Sequence, residues 1–258
     1  MNRAAFKDAI IKEAVLVINF EPVSKIERYA YQFEDNLRSI FEKEVSLTKI
    51  PDNAPPFIPR FLLASKNRGL EVSEVNAVLK MTFKEIDIAQ AFKLFLEKAK
   101  KIFDYIKTVG DIKIESFVSS ALFHFSLEDP EYPVRDAIFD RFFNIEKPLG
   151  FDGVSFSLNW KIDDVLVKNR VDSYETRQKK VKVEAKDIAP EEERKVIVRL
   201  KLAEMEVVDK GLLNRIEIIS DDIRKDDPQG LDKLFDKVLN WPKQYISEDA
   251  EQFIFGGK

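Results

Sequence analysis

Between residues 153 and 220 the chain alternates apolar and polar side chains more persistently than anywhere else, and that period limits what its second half can become. Val154, Phe156, Leu158, Trp160 and Ile162 alternate with Ser155, Ser157, Asn159 and Lys161. A period of two puts the two sets on opposite faces of a β-strand and cannot build the single stripe of an amphipathic helix. A slip at Asp163-Asp164 leads into Val165 and Val167, with a turn near Asn169. Strands over about 172–187 and 194–208 follow, then Arg215–Ser220. Asp227-Pro228 opens a helix with proline in its first turn, where the missing N–H costs nothing. A last short helix is expected from Ser247.

The first half mixes both periods. Ala14–Phe20 is a short β-branched run that reads as a central strand buried on both faces. Ser24 and Glu27 have capping-box spacing, and Ile26, Tyr29, Ala30, Phe33, Leu37, Ile40 and Phe41 follow helical spacing, which predicts a helix over about 24–44. Pro51, Pro55, Pro56 and Pro59 make residues 46–60 an irregular loop. Arg60–Ser65 and Leu70–Phe83 read as a hairpin around Asn67-Arg68-Gly69. A helix over about 86–107 and a strand over about 111–127 follow. The strand's apolar phase shifts between Ile114 and Phe117, which predicts a bulge or a strong twist. A short helix over about 133–144 comes next.

This order predicts an α+β fold with antiparallel sheet and helices packed on one face. The first half reads β-α-β-β-α-β, the ferredoxin-like order; the second is a long-stranded antiparallel meander. Glu128-Asp129-Pro130 is the candidate boundary, giving halves 1–128 and 129–258 that also fit one continuous domain.

Composition narrows function. The chain of 258 residues has no cysteine, which excludes disulfides, thiol catalysis and Cys-ligated metals. One histidine, His124, excludes a His-only metal site within one chain and any mechanism needing two histidines. The eight glycines offer little material for a phosphate-cradling loop. No apolar run reaches the roughly 20 residues that span a bilayer, and the N-terminus lacks a signal peptide's apolar stretch. The expectation is a cytoplasmic protein with no catalytic residues, no metal and no cofactor. A net charge of −4 is not the bulk signature of a nucleic-acid binder.

Three features invite ligands or partners. A hairpin turning within Asp187–Glu193 places Lys182 opposite Arg199 and Lys180 opposite Lys201. Like charges directly opposite destabilise a sheet. Glu184, Glu217 or solvent screens them, or an anion such as a phosphate backbone or an acidic protein surface binds there, with Arg177, Lys179 and Lys186 extending the strip. Second, Pro55, Pro56, Phe57 and Ile58 in the Pro-rich loop, and Phe253 and Phe255 near the C-terminus, either pack on their own domain or dock a partner. Third, the acidic groups Asp163-Asp164, Glu191–Glu193, Asp221-Asp222 and Asp226-Asp227 read as turn or strand-end chemistry. Asp221-Asp222 is the best placed of them for a metal. His124 shares a strand face with Leu122 and Ser126, away from Phe123 and Phe125.

The opening strand with Asn19-Phe20-Glu21-Pro22, the long helix after it, the Pro-rich loop, the Leu70–Phe83 hairpin and the closing helix together resemble the layout of a sporadically distributed family of uncharacterised prokaryotic proteins. That family's Arg-Tyr-Ile-Asn-like strand is missing here, and Ala121-Leu122-Phe123-His124 stands in its place. The resemblance brings no activity. Its patchy occurrence implies an association with mobile elements or defence islands. Length and first-half order are also similar to repeat-associated RNA endonucleases built from two ferredoxin-like domains, but their N-terminal histidine and C-terminal glycine-rich loop are absent.

Three functions stay open. One is a non-enzymatic interaction or adaptor subunit of a prokaryotic complex, with a protein partner or a second copy. Another is a nucleic-acid-binding module using the basic sheet face. The third is a carboxylate or divalent-metal enzyme.

Overall fold

The computed structural model describes residues 1–51, 53–143, 154–187, 196–220 and 228–256, and the side chains of all of these except 178–187, 196–206 and 228–229. It is an α+β protein built on one sheet of nine strands in which every neighbouring pair is antiparallel.

The elements run β1 (Ile10–Phe20), α1 (Ala30–Leu37), β2 (Ser46–Leu47), β3 (Phe61–Ser65), β4 (Arg68–Val72), β5 (Asn76–Thr82), α2 (Ile88–Ile106), β6 (Ile114–Ser126) and α3 (Val134–Phe142). They continue with β7 (Ser155–Ile162), β8 (Val165–Asp187), β9 (Val196–Ser220), α4 (Pro228–Gln244), a π-helical turn (Tyr245–Asp249) and α5 (Ala250–Phe255). Across the sheet the order is β2-β3-β4-β5-β1-β6-β9-β8-β7. The β6–β9 ladder, Val118–Ser126 against Gly211–Ile219, carries the sheet from one half of the chain into the other.

Alternation explains why one face is the core. Ala14, Leu16, Ile18 and Phe20 of β1, Phe117, Ala121, Phe123 and Phe125 of β6, and Leu212, Ile216 and Ile218 of β9 are all buried on the same side. The helices cover that side. Phe103 of α2 stacks on Phe235 of α4 at 3.9 Å, and both pack edge-on against Phe117. Phe255 of α5 meets Phe125. α2 is anchored where Asp87 caps its first turn by accepting the Gln90 N–H at 3.1 Å. The opposite face carries no helix among the described residues. Val15, Val17, Val118 and Leu122 are only half-buried there. β1 is therefore central but buried on one face alone.

Local rules overrode the sequence pattern in four places. Lys25 takes a left-handed conformation (φ 57°), so Ser24 does not cap. The expected 24–44 helix shrinks to a 3₁₀ turn at Ile26–Tyr29 followed by α1. The Leu70–Phe83 arm is two strands: Ser73 Oγ accepts the N–H groups of Val75 and Asn76 and folds β4 back onto β5. The expected slip at Asp163-Asp164 is a hairpin turn, with Asp163 at φ 50°, and no turn occurs at Asn169. The strands expected at 194–208 and 215–220 are one, β9, of 25 residues. The bulge expected near Ile114–Phe117 is present as a register shift between Asn19 and Phe20 against Ser116 and Ile114.

Candidate functional site

β8 and β9 outrun their neighbours. β7 pairs β8 only as far as Asp172, and β6 pairs β9 only from Gly211 onward. Glu175–Asp187 and Val196–Lys210 therefore form a two-stranded arm that leaves the sheet. At about 3.3 Å per residue it extends roughly 40 Å.

Its register differs from the one expected. Lys182 lies opposite Lys201, Glu184 opposite Arg199, and Lys186 opposite Ile197. Every pair from Val181 to Asp187 is offset by two residues from the expected ladder, and an irregularity between Lys179 and Val181, opposite Met205 and Leu202, leaves Lys180 without a directly opposed residue. Lys182 and Arg199 are thus not a pair, nor are Lys180 and Lys201. One like-charged pair remains, and Arg199 faces a carboxylate-bearing residue. The side chains of these four cations lie outside the described residues, as do Glu191–Glu193.

At the arm's root four polar side chains converge. Tyr174 Oη donates to Asp209 Oδ2 at 3.0 Å and lies 3.3 Å from Ser126 Oγ. The imidazole of His124 lies over the Tyr174 ring, centroid to centroid 4.1 Å, with Nε2 3.9 Å from Asp209. His124 is buried and its Nδ1 has no partner. Burial, then the nearby Lys12 ammonium, push the imidazole below its ordinary pKa against the pull of Asp209. Burial and the Asp209 carboxylate hold the Tyr174 phenol well above the ordinary range, against an opposing hydrogen bond from Ser126. Burial thus favours the neutral form of both rings. Beside it a cleft of about 290 Å³ opens between Tyr132, Pro133 and Arg135 on one wall and Tyr174, Glu175 and Lys210 on the other. Tyr174 and Asp209 escaped the sequence reading because only the β8–β9 register brings them to His124.

The expected docking residues are placed as follows. Phe57 is 65% exposed, and Ile58 is half-buried. Their loop is pinned by the Glu74 N–H donating to the Pro56 carbonyl and by Arg60, which bonds the Ala54 carbonyl and Glu74. Pro55 and Pro56 are exposed beside them. Phe253 is half-buried against Phe142 and Phe156, while Phe255 is buried against Phe6 and Phe125 in the protein's own core.

Among the acidic groups, Asp163 pairs with Lys237 at 2.9 Å. Asp221-Asp222 and Asp226-Asp227 lie outside the described residues. Among the described residues no group of three or more His, Asp or Glu side chains is placed to hold a metal, and no helix is long and apolar enough to cross a membrane.

Fold and site together define a class: an α+β protein with a single open-faced antiparallel sheet and a projecting β-arm. Neither a protein-family model nor a curated protein sequence matches this chain.

Proposed function

We propose that this chain is a non-enzymatic interaction or adaptor subunit of a cytoplasmic prokaryotic complex, and that the β8–β9 arm is what engages its protein partner. The arm itself carries the reading. An isolated two-stranded hairpin is marginal in water, because it has nothing against which to bury a face. This arm nonetheless alternates Val181, Val183 and Ala185 with charged residues, and the ladder sets them opposite Leu202, Leu200 and Val198. An apolar row of that length calls for a cover. Val207 and Val208, at the root, are 43% and 52% exposed and extend the apolar character toward the sheet.

Hydrogen exchange tests the reading. Amides of 178–206 exchange fast in the isolated chain and slow at least tenfold in the assembly recovered from the native host. Equal rates in both states would remove the arm from the interface.

A second reading rests on the charges. Arg177, Lys179, Lys180, Lys182, Lys186, Arg199 and Lys201 outnumber three carboxylate residues, Glu184, Glu204 and Glu206, in the paired stretches 177–186 and 197–207. A two-stranded ribbon fits a DNA major groove, and the Lys182–Lys201 apposition is relieved by a phosphate. This reading expects duplex binding that weakens steeply with salt and is lost in a Lys182→Glu/Lys201→Glu variant. Unchanged affinity in that variant rules it out.

We also infer a ferredoxin-like arrangement for the first half. The order β6-β1-β5-β4, with α1 and α2 as the crossovers, supports it, β2 and β3 being additions at the edge.

A further inference from the structure

β7 is the last strand of the sheet, and its outer edge pairs with no strand among the described residues. It holds register with β8 from Ser155 to Ile162 without a bulge, and it contains no proline. Such an edge offers a row of unused backbone groups, the feature that proteins otherwise interrupt with proline, bulges or charge.

The ladder shows which groups face out. Ser173 N–H donates to the Val154 carbonyl at 3.2 Å, so these two form a hydrogen-bonded pair. Hydrogen-bonded and non-hydrogen-bonded pairs alternate along an antiparallel ladder. The even-numbered residues of β7 therefore turn their backbone groups toward β8. Ser155, Ser157, Asn159 and Lys161 turn theirs outward.

The side chains are arranged to match. Phe156 stacks on Phe142 at 4.3 Å, and Trp160 packs against Trp241 at 6.3 Å, both on the helix side. Between them Leu158, on the same side, is 42% exposed. On the other face Ser155, Ser157 and Asn159 are exposed.

We infer that a second copy of this chain pairs with this edge, antiparallel, about a two-fold axis through Leu158. A two-fold perpendicular to the sheet keeps each face on its own side, so opposed residues must share parity. Two of the registers allowed, centred on Leu158 and on Asn159, overlap seven of the eight residues of the strand, and the first is favoured because it alone sets Phe156 against Trp160. It sets Ser157 against Asn159 of the second copy and Ser155 against Lys161 of the second copy. Those are the residues whose backbone groups face out, so their N–H and C=O groups are matched. Leu158 meets its own copy, and Phe156 stands opposite Trp160, an aromatic cross-strand pair of a favourable kind. The one charged side chain of the strand, Lys161, faces a serine, so no like charges meet. This surface lies on the sheet, not on the arm, and the inference stands independently of the function proposed above.

The chain's lack of cysteine makes the test direct. Leu158→Cys places two thiols at a non-hydrogen-bonded pair, where Cα atoms lie about 4.5 Å apart, within disulfide reach. Leu47→Cys, at an equally exposed site on β2, is the control. The wild type is expected to show twice the 29.9 kDa chain mass in native mass spectrometry, and L158C to cross-link almost completely on mild oxidation while L47C stays at background. Asn159→Pro removes an outward N–H that β8 does not use, and Leu158→Lys puts two ammonium groups on the axis. Both are expected to give monomers with unchanged far-UV circular dichroism. A monomeric wild type, L158C no more cross-linked than L47C, or a dimer that survives both substitutions overturns the inference. So does a monomer that instead takes up a strand from another protein.

Discussion

Tyr174 lies directly opposite Gly211 in the β8–β9 ladder, and its ring occupies the space a Gly211 side chain would need. A Cβ at Gly211 would stand 3.0 Å from Tyr174 Cε1 and far inside contact with the Phe125 carbonyl oxygen. The tyrosine covers a glycine at the point where the arm leaves the sheet, and β6, β8 and β9 meet there. Because the obstructing oxygen belongs to the β6 backbone, it cannot turn aside. Gly211→Ala is expected to destabilise the protein by about 2–3 kcal/mol, as overpacking in a closed site does. Gly69→Ala, where the new methyl makes only ordinary contacts at 3.5 Å and beyond, stays within about 0.5 kcal/mol. Urea denaturation of both variants checks the contrast.

His124 makes stability depend on pH with a defined sign. Burial and Lys12 hold its folded-state pKa below the ordinary value, while in the unfolded chain it protonates near 6.5. Between the two values the unfolded state binds more protons, so stability rises with pH. This contribution is fully present above about 6.5 and is lost as pH falls through the lower folded value. The melting temperature of the wild type should therefore drop more between pH 7.5 and 5.5 than that of His124→Gln. Parallel profiles would show that the imidazole is not held neutral.

A buried polar triad ties the arm's strands to the C-terminal turn. Asn169 Nδ2 donates to Tyr245 Oη at 2.6 Å, and Asn214 Nδ2 donates to Asn169 Oδ1 and to the Arg170 carbonyl. All three residues are buried. Tyr245→Phe leaves an amide N–H without a partner, at a cost of about 1–3 kcal/mol. Adding Asn169→Leu removes the orphaned donor, so the double variant is expected to lose less than the sum of the single losses. Additive losses in thermal melts would contradict the coupling.

What the sequence disclosed follows from which forces act locally. The α2 stripe from Phe92 to Ile106, the short α3, the proline-opened α4 and the bulge before Phe117 were legible, since each rests on spacing within a few residues; the stripe was begun at Ala89, which is exposed, where Ala91 is the buried residue. Ser73 was not read as a turn and Asp163-Asp164 was read as a slip with turn or strand-end chemistry, not as a hairpin, because apolar alternation runs past both and their turns depend on a side-chain hydrogen bond and a positive φ. The long unbroken β9 was divided across Gly211, where a glycine is required by the close approach of Phe125 and Tyr174. The basic strip was placed two residues out of register because its pairs were counted back from an assumed turn within Asp187–Glu193, and no local signal fixes where such a turn falls.

The arm decides the account. Arg177 and Val207 face each other in the ladder, so residues 178–206 can be replaced by Asn-Gly, a two-residue hairpin turn, without disturbing the sheet. Native mass spectrometry of the full chain and of this shortened chain, each recovered from the native host, is the most direct measurement. The account predicts a heteromeric mass for the full chain and only multiples of its own mass for the shortened one. A full chain that also gives only multiples of 29.9 kDa, or a shortened chain that retains the same partner, would contradict it.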